Sequence, residues 1–448
     1  MCFFFLIRII PFINLSSLTV PFIRYYDSEF LNEKGTLYSK FTNYLGIKIE
    51  IGSPPQVLSV NVEFFSNSLW IIDNNSPSLN EYQRGYYKSK STTVSEIDPT
   101  STYIMTNTKH QAQIKSLKDF IKIEQSEITN CSFFIVEKIT NVPFHSGILG
   151  LDIDNKKFNI LPHGFSFIDQ LYEKGLISHK IFTIEYKDVN HGTIFFGNYP
   201  HFEDPSYLTG NKVLINRKVN KNFDKNDIWG ITFDKISYIG ESGFILPNQK
   251  VEFVVDLGVI VVPQEYQKII IESGKVKSLI ERKKCLFENV YDKIEYKMLK
   301  CFGTEDFSQN FGNLIFTLDN YNIVLTGKDL FTSHYQSTQV LQLAFYSGKD
   351  GVKLKEWLIG EPFFKKKEII YNVEDKKIGF YLGEANLKNK NVSFFKIIIS
   401  IIIIFIIFIF VYIWYKKRHL KNKSYKYNTN KSLDFEKLDN FSINEELK

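Results

Sequence analysis

The chain has 448 residues, of which 44% are hydrophobic and 23% are charged, and its formal net charge is +6. This composition excludes a mainly disordered chain, and the length allows one large bilobal unit or two to three smaller domains. Much of the positive charge lies in residues 416–448, so no long basic patch remains to indicate nucleic-acid binding. Four cysteines without a C-x-x-C pair do not support a disulfide-rich scaffold or thioredoxin chemistry. The P-loop and nucleophile-elbow patterns are absent as well.

The N-terminal region is apolar and has the character of a targeting segment. Residues 1–19 are rich in Phe, Ile and Leu, although Arg8 interrupts the run and no A-x-A cleavage site follows. We therefore predict a signal peptide or another targeting segment over 1–19. Residues 20–43 are long enough for a short prosegment.

The region 44–385 is dominated by short β-type runs. Apolar or alternating stretches of five to eight residues end at Gly, Pro, Asn or Asp, which is typical of strands. Helical patterns are few, so the sequence predicts an all-β body. The predicted strands include 44–52, 57–65, 180–186, 192–198, 251–262 and 314–320, and the predicted helices are 165–177 and 264–274.

A weak internal repeat divides this body. VNVEFFSNSLWII (60–72) is followed later by I-L-G at 148–150, and FVVDLGVIVVP (253–263) is followed by L-I-G at 358–360. The pattern indicates a duplicated β-domain whose two central turns face each other. We place the N-terminal lobe at 44–190 and the C-terminal lobe at 191–385.

The C-terminal region has the pattern of a membrane anchor. After a linker (386–396), residues 397–415 carry no charge, and as a helix they would cover about 28 Å, one hydrocarbon core. Three basic residues at 416–418 follow at once, which places the basic tail 416–448 in the cytosol. A buried core helix or strand is the alternative. We expect a single-pass type I membrane protein whose ectodomain, with sequons at Asn74, Asn130 and Asn391, lies in the secretory lumen or outside the cell.

Eight segments, in order over about residues 44–385, resemble the pepsin-like aspartic peptidases. The resemblance implies an all-β, bilobal acid-protease fold, a monomer that needs no cofactor, and an extended peptide bound in the cleft between the lobes. It also implies a disulfide between Cys285 and Cys301, which leaves Cys131 as a buried thiol. No histidine pair has metal-ligand spacing, so we expect no metal site. The segments are YLGIKIEIGSPPQ (44–56), SLW (68–70), GILGL (147–151), 165–186, GTIFFG (192–197), the two cysteines, IGEPFF (359–364) and 371–380.

The resemblance also identifies the candidate catalytic loops. Family members hydrolyse peptide bonds with two aspartates, each in a D-T-G-[ST] loop, that share one proton and activate a water. The first loop is here Glu63-Phe64-Phe65-Ser66, and the second is Asp256-Leu257-Gly258-Val259. Glu63 and Asp256 are thus the candidate catalytic residues. Ser66, Gly258, Gly150 and Gly360 are the candidate residues of the active-site loops.

These loops depart from the family pattern at the residues of the two catalytic motifs. Glu63 has one extra methylene, a displacement of roughly 1 Å that can cost about 100-fold in rate. Phe64, Leu257 and Val259 lack the hydroxyl that the family has, and Phe65 replaces a glycine. The flap segment Tyr-Gly-x-Gly is missing from 103–110, where either Tyr103 or Asn107 could stand at the flap position.

Three interpretations remain. The chain is a peptidase homologue with impaired or lost catalysis, a working endopeptidase that uses Glu63 and Asp256, or a non-catalytic membrane-bound peptide- or protein-binding homologue. Glu63 could also be an outward-facing strand residue, and Asp256 a loop residue that caps a turn.

Overall fold

A computed structural model describes residues 16–25, 37–64, 66–79, 84–97, 103–106, 111–139, 146–153, 165–209, 212–221, 227–239, 243–272, 274–290, 293–334, 337–346, 354–383, 409–414 and 416–417. In this part of the chain strands predominate and helices are short, so the predicted all-β class is confirmed.

The strands fall in two groups along the chain. The first group is β1 (Leu18–Tyr25), β2 (Tyr44–Ile51), β3 (Gln56–Glu63), β4 (Leu69–Ile72), β5 (Ser95–Glu96), β6 (Tyr103–Thr106), β7 (Gln111–Ile123), β8 (Ser126–Ile139), β9 (Gly147–Gly150), β10 (Ile181–Tyr186), β11 (His191–Phe196) and β12 (Val213–Lys218). The second group is β13 (Gly230–Ile239), β14 (Phe244–Phe253), β15 (Ile260–Val262), β16 (Cys285–Val290), β17 (Lys293–Phe302), β18 (Asn313–Leu318), β19 (Tyr321–Leu325), β20 (Phe331–His334), β21 (Thr338–Tyr346), β22 (Trp357–Ile359), β23 (Ile369–Asn372) and β24 (Lys377–Leu382).

The helices of this body are one to two turns long. They are α1 (Tyr38–Phe41), α2 (Phe167–Glu173), α3 (Pro200–Glu203), α4 (Gln264–Ile271), α5 (Gly274–Glu281), α6 (Gly327–Leu330) and α7 (Glu361–Lys366), with 3₁₀ turns at Lys88–Lys90, Pro205–Leu208 and Phe307–Asn310. The helices predicted over 165–177 and 264–274 correspond to α2 and α4.

One predicted strand is wrong in its extent. Residues 251–262 form the end of β14 and the whole of β15, separated by a turn over 254–259. Val255 and Val259 in this turn are fully buried. Because buried turn residues are as apolar as strand residues, the sequence pattern runs through the turn without a break.

The strands form two sheets. The first runs in the order β12-β24-β23-β10-β11-β1-β2-β3-β9-β4-β8-β7-β5, with β6 also on β7. The second runs β16-β17-β21-β15-β22-β14-β13-β18-β19, with β20 also on β21. The hairpin β10–β11 spans the lobe boundary predicted at 190, and β23 and β24 at the end of the body join the first sheet.

The predicted repeat is present in the topology. In the first repeat β3 runs parallel to β9, β9 is antiparallel to β4, and β4 is parallel to β8. In the second, β14 runs parallel to β22, β22 is antiparallel to β15, and β15 is parallel to β21. Each repeat therefore carries one candidate loop between its first and second buried strands, Glu63 in one and Asp256 in the other.

The N-terminal strand β1 is an interior strand of the first sheet. It pairs with β11 on one side and with β2 on the other. Leu18, Val20 and Phe22 point into the core, with Arg24 on the same face. The strand crosses the predicted 19/20 boundary, whereas residues 1–15 of the predicted targeting segment lie outside the described residues.

Residues 384–448 form a unit separate from the body. Residues 409–414 and 416–417 are helical, and the rest of the predicted span 397–415 lies outside the described residues. Among the described residues, no helix is long and apolar enough to cross a membrane.

Candidate active site

The first candidate loop follows β3 and carries Glu63. Glu63 ends β3 beside Gly150 on β9, and its backbone carbonyl accepts a hydrogen bond from Leu151 N–H (2.9 Å). The residue is 5% exposed, which excludes the outward-facing position that the alternation also allowed. A Cβ on Gly150 would lie 2.3 Å from the carbonyl oxygen of buried Ser66, so this approach requires glycine. The fold thus brings Glu63, Ser66 and Gly150 together.

Phe64 points into an aromatic cluster. Its ring centroid lies 5.1 Å from that of Tyr371, 6.1 Å from Phe182 and 6.4 Å from Trp229. The tyrosine and phenylalanine are strand residues of β23 and β10, so Phe64 fixes the loop to strands from distant parts of the chain. An apolar anchor therefore occupies the position that the resemblance assigns to the family threonine. Phe65 lies outside the described residues.

The second candidate loop is a buried turn that carries Asp256. Strand β14 ends at Phe253, and Leu257 N–H donates to Val254 C=O (3.2 Å), which closes a turn with half-buried Asp256 near its end. Leu257 and Val259 are buried in an apolar cluster. Asp256 is thus both part of a turn and held in the buried loop that the sequence alignment indicated.

Gly360 on the neighbouring strand end permits the second loop to pack closely. A Cβ there would lie 2.2 Å from Leu257 O and 2.4 Å from Val259 O. The next residue, Glu361, donates its backbone N–H to Leu257 O (2.8 Å). Gly360 therefore serves the second loop as Gly150 serves the first.

The two loops are equal in length, but the two candidate carboxyl groups stand at different places along them. In the first repeat, one residue of β9 pairs with both Val62 and Leu69, which are seven residues apart. In the second, one residue of β22 pairs with both Phe253 and Ile260, which are also seven residues apart. The candidate carboxyl residue comes one residue after Val62 in the first loop and three residues after Phe253 in the second. The two candidates therefore do not occupy corresponding positions.

Residues 40–43, which we call the N-terminal clamp, contact the second loop directly. Asn43 N–H donates to Asp256 C=O (2.9 Å), and Asn43 Nδ2 donates to Val255 C=O (2.8 Å) and to the Tyr186 hydroxyl (2.7 Å). Gly258 N–H in turn donates to the carbonyl of clamp residue Phe41 (2.7 Å). The sequence analysis did not identify the clamp, because nothing in its residue types indicates a site.

A group of charged residues lies behind the second loop. Glu361 is fully buried and pairs with Arg24 Nη2 of β1 (2.5 Å) and with Lys365 Nζ. Burial, followed by the nearby Arg24 charge, lowers the pKa of Lys40 to about 8. Arg24 was not predicted as a site residue either. In the sequence it falls at the same alternate positions as the apolar residues Leu18, Val20 and Phe22, and it shares their buried face.

The remaining predicted features lie away from these loops. Cys285 and Cys301 are paired across the β16–β17 hairpin and form the predicted disulfide. Cys131 is free and buried, and its burial raises the pKa of the thiol to about 12. Tyr103 lies on β6, whereas Asn107, the other candidate flap residue, lies outside the described residues.

Comparisons with known proteins find relatives that match half of this chain or more. The chain is 22% identical to pepsin II-1 of Oryctolagus cuniculus over 355 residues, which are 75% of this chain and 81% of that protein. It is 25% identical to a probable vacuolar protease A of Trichophyton verrucosum over 248 residues, 52% of this chain and 56% of the relative. The vacuolar protease A of Arthroderma otae is 23% identical over 235 residues, 51% of this chain and 56% of the relative. The match thus spans little more than half the length of the two fungal relatives.

The family described as eukaryotic aspartyl protease matches residues 43–382. This range contains both repeats, both candidate loops and the disulfide. The chain belongs to the eukaryotic aspartyl protease family.

Proposed function

We propose that this protein is a membrane-anchored, pepsin-like homologue that binds an extended peptide between its two repeats and has lost most or all peptide-bond hydrolysis. The proposal rests on Phe64 and Leu257, which stand where family members have a threonine in each catalytic loop. Phe64 packs among three aromatic rings, and Leu257 is buried in an apolar cluster. Phe64 is partly buried against these rings and Leu257 is buried, so neither position supplies the hydroxyl contact of an active family member.

The chemistry of the dyad makes these departures costly. Two carboxyl groups must lie close enough to share one proton and to hold a water, and their pKa values then separate. Glu63 is longer than aspartate by one methylene, and Asp256 does not occupy the position in its loop that corresponds to that of Glu63. A misplacement of about 1 Å can cost about 100-fold in rate.

A working peptidase that uses Glu63 and Asp256 is the second candidate. The buried position of Glu63, beside the glycine that also approaches Ser66, supports it. In this candidate the extra methylene of Glu63 compensates for the different positions of the two carboxyl groups along their loops. The enzyme would then retain two carboxyls at the centre of the site.

Peptide cleavage tests the proposal. The purified chain is incubated with an unbiased peptide mixture from pH 3 to 7, beside Asp256→Ala, and products and retained peptides are identified by mass spectrometry. We expect selective retention of peptides and no cleavage above the Asp256→Ala background. Cleavage that disappears in Asp256→Ala would establish the second candidate and overturn ours.

The membrane anchor is part of the proposal and rests on the uncharged stretch 397–415 with the basic residues behind it. We infer a type I orientation with the body in the secretory lumen or outside the cell. Alkaline extraction of membranes tests the anchor: the full chain should stay with the membrane, and a chain that lacks 397–415 should be released. Protease protection of the tail in sealed vesicles tests the orientation.

A further inference from the structure

We propose that Asn43 is a positioning residue for Asp256, and that the N-terminal clamp holds the second loop in place of the hydroxyl contacts that Phe64 and Leu257 cannot make. The part of this proposal that concerns peptide binding rests on the proposed function, whereas the part that concerns the structure of the second loop does not.

The first support for this proposal is that Asn43 forms hydrogen bonds with the second loop. Its side chain is fully buried and donates to Val255 C=O and to the Tyr186 hydroxyl, while its own N–H donates to Asp256 C=O. Two consecutive carbonyls of the second loop are thus satisfied by one residue from outside the loop. Asn43→Ala keeps the backbone bond to Asp256 and leaves the buried Val255 carbonyl without this donor, which is more costly than the bond itself.

The contact of Gly258 with the clamp carries the second step. Gly258 N–H donates to Phe41 C=O, and a Cβ on Gly258 would lie 2.4 Å from Lys40 O and 2.8 Å from Thr42 O. Thr42 and Leu257 also form an antiparallel bridge. The clamp and the loop are therefore two backbones in direct contact, a packing that only glycine permits at this position.

The third support for the proposal is apolar packing between the second loop and the residues around α1. Leu257 and Val259 share their buried cluster with Leu37, which precedes α1, and with Phe41, which ends it. The two positions that lack a hydroxyl thus present apolar surface to the helix that leads into the clamp. The same substitutions that remove the family contact create this one.

The arrangement encloses the loop from two sides. The clamp holds Val255, Asp256 and Gly258 on one side, and Glu361 N–H holds Leu257 O on the other. Since Asp256 lies between these fixed points, the direction of its carboxyl group depends on the clamp. Asn43 acts through the loop and does not itself need to touch a ligand.

Hydrogen exchange in the full chain tests the proposal without reference to a ligand. Asn43→Ala should speed amide exchange over 254–260 by about tenfold, because it removes two hydrogen bonds to the loop and its surroundings. The matched control is Asn372→Ala, since Asn372 is also a buried asparagine that donates to a tyrosine hydroxyl, that of Tyr199. It should leave exchange over 254–260 unchanged. Equal exchange over 254–260 in the two variants would overturn the proposal.

Tyr186→Phe covers the case in which Asn43→Ala does not fold. It removes the hydroxyl that accepts from Asn43 Nδ2 and keeps the aromatic ring, and we expect faster exchange in the same segment by about fivefold. Unchanged exchange there would also overturn the proposal.

Retention of peptides from the unbiased mixture gives the second readout. Asn43→Ala should weaken retention by about tenfold while Asn372→Ala does not, since only the former releases the loop. If the wild-type chain retains no peptide, the proposed function fails, whereas the exchange result still decides the role of Asn43. Equal retention by both variants, with a wild type that binds, would refute the link from the clamp to the site.

Discussion

The buried pair of Arg24 and Glu361 predicts a large and non-additive loss of stability. Their side chains are 3% and 0% exposed, and they join β1 to the start of α7 at 2.5 Å. Removal of one partner from a buried ion pair typically costs about 3–5 kcal/mol, because the other charge stays buried without compensation. Replacement of both partners is often close to neutral.

The surroundings decide where in this range each variant lies. In Arg24→Met, Glu361 keeps its contact with Lys365, so we expect a loss of about 3 kcal/mol. In Glu361→Gln, the buried Arg24 charge remains near Lys40 without its anion, so we expect about 5 kcal/mol. The double variant should lose less than the sum of the two by at least about 2 kcal/mol.

Urea unfolding followed by tryptophan fluorescence measures these values, since Trp70, Trp229 and Trp357 are buried in the body. The slope of the free energy of unfolding against urea should stay constant if only stability changes. Lys268→Met is the control, because its partner Glu272 forms an exposed pair, and it should change stability by less than about 0.5 kcal/mol. Additivity of the two single variants within about 0.5 kcal/mol would refute the reasoning.

Three further predictions concern the same body. The pKa of Lys40 is lowered from 10.5 to about 8, so the unfolded chain binds this proton more tightly than the folded chain. The free energy of unfolding should therefore rise with pH between these two values. Urea titrations at pH 7 and pH 10 measure this rise, and Lys40→Met should make it smaller. Phe64→Ala should cost about 2 kcal/mol in the same assay, less than a fully buried phenylalanine, and no loss would contradict the aromatic anchor. Replacement of Cys285 and Cys301 by serine opens a cross-link of 16 residues and should cost about 3 kcal/mol, measured as a lower urea midpoint.

The sequence predicted the strands whose burial alternates and the repeat that joins them, because both follow from local apolar periodicity. It did not predict β1 as a core strand. Pro21 argues against an interior strand, and the apolar residues before it indicated a targeting segment. In the sheet Pro21 faces outward, and the buried residues on either side of it supply the packing. Arg24 could not be assigned because its partner Glu361 comes from the far end of the folded body.

The sequence predicted the residues of the candidate site but not the residues that surround and support them. Glu63, Asp256 and the glycines were found by resemblance, which matches motifs along the chain. The clamp was not found, because Asn43 contacts the loop through backbone carbonyls, and such contacts leave no pattern in side-chain type. The different positions of Glu63 and Asp256 along loops of equal length were hidden for a related reason, since the buried turn has the composition of a strand.

The glycines of the site do not argue for catalysis. Gly150, Gly258 and Gly360 each face a backbone carbonyl oxygen at a distance that excludes a Cβ, so the fold requires them whether or not a peptide bond is cleaved. A chain that had lost hydrolysis but kept its fold would retain all three. The positions that separate an enzyme from a binding protein are therefore those that packing leaves open to change, and at two of these Phe64 packs against aromatic rings and Leu257 is buried in an apolar cluster.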